Sequence, residues 1–74
     1  MENKELIKKL KKEQDELDKK LTKLQWFIAK ETVRENGPII SDLQLNLLIV
    51  QRDAMSAYSN VLEMRINDLE EQYD

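Results

Sequence analysis

Apolar residues along this chain fall into two runs with helical spacing, separated by the single Gly and the single Pro. In the first run Leu6, Ile7, Leu10, Leu17, Leu21, Leu24, Phe27 and Ile28 recur at steps of three and four, the signature of one helix face. The pattern predicts a helix from near Asn3, a plausible N-cap, to about Arg34. At 1.5 Å per residue such a helix is on the order of 45 Å long. Glu35-Asn36-Gly37-Pro38 is expected to stop it. Asn or Gly can take the left-handed C-terminal position, and Pro38 cannot continue the hydrogen-bond ladder.

A second helix is predicted from residue 42 to about 71, after a loop over residues 35–41. Its start signal is unusually complete. Ser41 stands at the N-cap with Gln44 three residues on, Ile40 and Leu45 occupy the staple positions, and Asp42 faces the positive end of the helix dipole. A connection this short between long helices implies antiparallel neighbours. The second run is apolar on more than one face. Leu48, Met55, Leu62, Ile66 and Leu69 form one stripe, and Leu47, Val50, Ala54, Ala57, Val61 and Met64 form another, adjoining it. One partner helix covers only one of these, so the second stripe calls for another protomer.

Composition strengthens that expectation. The 74 residues make one domain, 36% charged and without Cys or His. Two helices alone do not enclose a core, and small scaffolds compensate with disulfides, metals or oligomerisation. Cysteine and histidine are missing, so neither a disulfide nor a structural zinc site is available. The expected fold is therefore all-α: a two-helix antiparallel hairpin, residues 1–74, assembling into a symmetric helical homo-oligomer.

Charge is unevenly spread. Residues 1–37 carry ten Lys/Arg and eight Asp/Glu, whereas residues 38–74 carry two and seven. A basic helix lying beside an acidic one accounts for this, and the modest positive charge argues against a DNA or RNA binder. The start of the chain is charged every few residues, which does not suit a signal peptide, and no apolar run approaches membrane-spanning length. A soluble, cytoplasmic protein is expected, with no membrane partner.

Folding the hairpin about residue 38 sets residues whose numbers add to roughly 77 opposite one another, within a turn. Three polar side chains then fall inside the apolar stripes: Lys20, Gln51 and Arg65. One reading is structural. Arg65 meets Glu13 as an ion pair fixing register, Lys20 lays its stem against Tyr58, and Gln51 sits at the seam edge or bonds across an interface. The other reading is a binding site, in which Lys20, Tyr58, Arg65 and Trp26, with Gln51 beside them, surround a pocket for an anionic aromatic ligand. Cations supply charge-assisted bonds to phosphate and aromatic rings supply stacking surfaces.

Catalysis has little to work with. There is neither a phosphate-binding glycine loop nor a nucleophile elbow. Ser41 is used as a cap, Ser56 and Ser59 lack a base, and Glu13 with Glu16 makes a weak metal site. The chain reads as a non-enzyme without cofactor or metal.

Two ordered segments carry a family resemblance. Helix 1 reads Glu16-Leu17-x-x-Lys20-Leu21-x-x-Leu24-x-x-Phe27-Ile28. Helix 2 reads Leu47-Leu48-x-x-Gln51-x-x-x-Met55-x-x-Tyr58-x-x-Val61-Leu62-x-x-Arg65-Ile66. Together they resemble the helical-hairpin domain of phage anti-CBASS sponges, shared with some sponges acting against Thoeris signalling. The resemblance spans about residues 13–66. It implies a homohexamer of interlocked hairpins in the cytoplasm of an infected bacterial host. Such an assembly binds cyclic dinucleotides between protomers, in some relatives also cyclic trinucleotides, and sequesters these immune messengers without degrading them. It further implies that Lys20, at the motif lysine, approaches ligand phosphate, with Arg65 as another anion contact. Where comparable members place a base-stacking aromatic ahead of that lysine, this sequence has Glu5. The stack then falls to Trp26 or Tyr58 of another protomer, or the preferred ligand differs, or the dinucleotide site is lost and another pocket retained. The alternative function is a structural or adaptor coiled coil that docks a partner protein through the second stripe of helix 2.

Overall fold

The computed structural model describes residues 2–37 and 39–73. They form two α-helices and no strand: α1, Glu2–Thr32, and α2, Asp42–Tyr73. The helices lie side by side as an antiparallel hairpin measuring 55 × 15 × 14 Å. Among the described residues, no helix is long and apolar enough to cross a membrane.

Helix boundaries follow local chemistry. The α1 helix already includes Glu2, so Asn3 lies inside it and is not the N-cap that its residue type suggests. Its far end comes two residues before Arg34. The last turn closes with Val33 N donating to Ala29 O at 3.2 Å, and the Thr32 hydroxyl donates to Ile28 O at 2.7 Å. Thr32 and Val33 are both β-branched and favour leaving the helix there. A tight turn follows, with Gly37 N donating to Arg34 O at 3.0 Å. Gly37 takes the left-handed conformation at φ 80°, and no other described residue has positive φ. Pro38, expected to bar the helix, lies outside the described residues. Ser41 caps α2 as expected: its Oγ accepts from Gln44 N at 3.1 Å, and its carbonyl starts the ladder by accepting from Leu45 N.

Packing joins one face of each helix. Leu10 and Ile28 of α1 and Leu62 and Ile66 of α2 are buried, Leu62 completely at 0% exposure. Leu6, Ile7, Leu17 and Leu69 flank the cluster formed by Leu10, Leu62 and Ile66. Gln14 donates to Glu63 and the Ser59 hydroxyl donates to Asp18, which is the register expected from folding about residue 38. Lys11 and Glu70 bridge the open end at 2.9 Å.

Two features of the packing bear on function. First, the second stripe of α2, which borders the buried one, is left uncovered by α1. Leu47, Val50, Val61 and Met64 are exposed. Helical arithmetic explains it: at 100° per residue, Val61 points about 120° from the direction shared by Leu62 and Ile66, out of reach of α1. Second, a carboxylate is buried at the loop end of the hairpin. Glu31 is only 2% exposed and takes a 2.9 Å ion pair from Arg34 Nε, three residues on. A buried carboxylate has to be paired, and Arg34 does this from a partly solvated position.

Candidate functional site

The five residues singled out from sequence do not all share one surface. Lys20, Gln51, Tyr58 and Arg65 stand along one edge of the hairpin and are all exposed. The edge is built from two rows with seven-residue spacing, Glu13 and Lys20 on α1 and Gln51, Tyr58 and Arg65 on α2. Residues seven apart return to nearly the same helix direction, so each row runs along the axis. Tyr58 fastens the rows together by donating its hydroxyl hydrogen to Glu13 Oε2. The Ser59–Asp18 hydrogen bond sets the level of the two helices, so Lys20, two residues on from Asp18, stands near the level of Ala57 and Tyr58.

One contact expected from the hairpin register differs in the structure. Glu13 engages Tyr58 and does not form the ion pair expected with Arg65. The reason is the reach of the side chains along the axis and not a change of register. On the opposite edge Gln14 reaches both Glu63 and the Ser59 carbonyl, and on this edge Glu13 reaches Tyr58. Among the described residues, neither Lys20 nor Arg65 has a carboxylate within ion-pair distance. Gln51 makes only a weak contact, its amide 3.8 Å from the Met55 sulfur.

Electrostatics mark Tyr58 within this edge. Its hydroxyl is held above the usual tyrosine value, chiefly by the hydrogen bond to Glu13, then by slight desolvation and the Glu13 charge; the nearby Arg65 charge opposes the shift. The same group of residues thus presents a neutral phenol, one carboxylate and two cations that no acidic side chain neutralises. Such a row can accept an anion at the cations and a ring or amide edge at Tyr58 and Gln51.

Trp26 lies elsewhere. It is 67% exposed on a different face of α1, where Lys30 Nζ stands 4.9 Å from the ring centroid. With Thr22, Lys23 and Phe27 these two line an open depression of about 430 Å³. Within one chain the structure does not bring Trp26 to the edge that holds the other four. Sequence reasoning assigned Glu13 to the wrong partner and passed over Glu31. The Glu31-x-x-Arg34 spacing was the available signal for the second, since side chains three apart are neighbours on a helix.

Comparison with known proteins gives one match. A family model described as Sequestin matches residues 4–68, nearly the whole hairpin. No curated protein and no solved structure matches.

Proposed function

The chain belongs to the Sequestin family, and on that premise we propose that it sequesters cyclic oligonucleotide second messengers, binding them without degrading them. The family name supports holding a ligand over converting it. The resemblance of its two helix motifs to phage anti-CBASS sponges supports cyclic di- or trinucleotides as that ligand. In this reading the protein is a phage immune-evasion factor, acts in the cytoplasm of the infected host and works as a homo-oligomer, a hexamer by analogy.

The observation that carries the proposal is the edge holding Lys20, Gln51, Tyr58 and Arg65. A helical hairpin built only for structure neutralises cations placed near its seam against neighbouring carboxylates. Here Glu13 is engaged by Tyr58 and, among the described residues, neither Lys20 nor Arg65 has a carboxylate within ion-pair distance, which leaves both available to ligand phosphates. A cyclic dinucleotide carries two phosphates, and this acidic chain attracts them through local cations and not through its net charge of −3. Tyr58 offers a ring face and Gln51 an amide for base recognition. Trp26 contributes in this scheme from another protomer.

Binding to the folded state raises the melting temperature by mass action, by about 2.7 kcal/mol of stability at a ligand concentration of 100 Kd. A thermal-shift series against cyclic di- and trinucleotides is expected to give a positive shift for at least one of them. After heat denaturation that nucleotide is expected to be recovered intact. No shift with any of them, together with no retention in equilibrium dialysis, would reject the proposal. Linearised product above a protein-free control would make the protein a nuclease. The exposed stripe of α2 favours one second reading, an adaptor that docks another protein, and for this reading the nucleotide series gives no shift.

A further inference from the structure

The exposed stripe of α2 has an internal order that specifies what covers it. From Leu43 to Met64 its apolar positions advance by alternating steps of four and three, the spacing of a coiled-coil seam. The stripe is not covered by α1 and is open to solvent, with Val50 64% exposed. In a chain that is 36% charged, this seam carries no charge until Asp68. Side-chain size is symmetric along it. The two alanines, Ala54 and Ala57, form a narrow waist near the middle of α2, and larger residues follow on both sides.

We propose that α2 pairs antiparallel with α2 of a second copy through this seam, so that Gln51 of one copy stands beside Tyr58 of the other. Turning the helix end for end about the waist sets Ala54 against Ala57, Val50 against Val61 and Leu47 against Met64. Each of these layers is then apolar on both sides, and the alanine layers let the backbones approach closely. Asp68 decides against the parallel alternative. Parallel pairing places Asp68 of one copy against Asp68 of the other at a seam position, whereas the antiparallel arrangement moves it to the solvated end opposite Leu43. The flanks agree. In an antiparallel pair like flanks meet, so Gln44 and Gln51 of one copy meet Arg65 and Tyr58 of the other. Asp53 on the opposite flank meets Asn60. No like charges are opposed.

The pairing stands on spacing, size and charge alone. Its consequence for the ligand edge rests on the proposed function: Gln51, Tyr58 and Arg65 line one border of the seam, so each edge gains polar groups from the second copy. A site that is one-sided in the single hairpin becomes two-sided in the pair.

The chain has no cysteine, so engineered cysteines report directly. Val50→Cys and Val61→Cys are prepared separately, one with a mass tag, then mixed under denaturing conditions, refolded and mildly oxidised. Disulfides need Cα atoms within about 7 Å. Antiparallel pairing puts position 50 across from position 61, but separates two copies of position 50 by roughly 16 Å along the axis. The expected result is a mixed disulfide between the variants, with each variant alone remaining uncross-linked. Equal cross-linking of each variant alone would show parallel pairing and overturn the proposal, as would no cross-link in any sample. Independently, Ala54→Glu is expected to halve or further reduce the particle mass in light scattering while helicity is retained. Unchanged mass, or a wild-type monomer of 8.8 kDa at micromolar concentration, would also overturn it. No nucleotide is present in either experiment, so failure here is separate from failure of the messenger-binding proposal.

Discussion

Removing Arg34 isolates the contribution of the one buried charge among the described residues. Arg34→Ala leaves the Glu31 carboxylate at 2% exposure without the 2.9 Å contact that neutralises it. Breaking a fully buried ion pair costs about 3–5 kcal/mol, because the surviving charge stays desolvated. That range is too high here. The Arg34 side chain is itself 37% exposed, so water enters the space it vacates and solvates the carboxylate in part. A charge-assisted hydrogen bond of about 1.5–3 kcal/mol is the better guide, and the lower half of that range is expected. A chain of this length has a stability on the order of 4–11 kcal/mol, so the loss is a large fraction of the total. With a urea slope of about 1 kcal/mol/M, the midpoint moves down by roughly 1.5–2 M. The measurement is urea unfolding followed by far-UV circular dichroism at one fixed protomer concentration, since assembly contributes to apparent stability. The partner variant Glu31→Met, combined with Arg34→Ala, removes the buried charge along with its cation and is expected to recover most of the loss. A midpoint for Arg34→Ala within 0.5 M of wild type, using the same slope of about 1 kcal/mol/M, would show that Glu31 is solvated without Arg34 and refute the argument.

Three further outcomes follow from the same geometry. Lys20→Ala is expected to weaken cyclic-nucleotide binding about tenfold to a hundredfold, from the roughly 1.5–3 kcal/mol of a charged hydrogen bond; affinity equal to wild type makes Lys20 a plain surface residue. Leu62→Ala empties a fully buried position and is expected to cost about 2–5 kcal/mol in the same urea assay, with a loss under about 1 kcal/mol contradicting its place in the core. Tyr58 ionises above the usual tyrosine value, so its contact with Glu13 contributes stability that is fully present below about pH 10 and is lost as pH rises through the folded value. In a spectrophotometric tyrosinate titration Glu13→Gln is expected to lower the Tyr58 midpoint, and an unmoved midpoint would remove Glu13 as the cause.

Much of the hairpin was legible in the sequence because it is governed by local rules. Three-and-four spacing identified both helices, and Ser41 with Gln44 marked the start of α2 to the residue. Gly37 was one of two candidates for the left-handed position in the turn, and only the glycine takes it. These features depend on neighbours within a turn or two, so the linear pattern contains their causes. The sequence also determined that the chain lacks the histidine and cysteine on which most metal and nucleophilic chemistry rests.

Tertiary structure decided what depends on the relative placement of the helices. Whether Glu13 meets Arg65 or Tyr58, which stand about two turns apart on one row, turns on how far each side chain reaches along the axis, which helical periodicity does not fix. The burial of Glu31 arises only in the folded hairpin, where it is 2% exposed. That Lys20 and Arg65 share an edge with Gln51 and Tyr58, while Trp26 faces another direction, follows from the rotation of each helix about its own axis. That rotation is set by the packing of Leu10, Leu62 and Ile66, since burying these three turns every other side chain to a fixed direction.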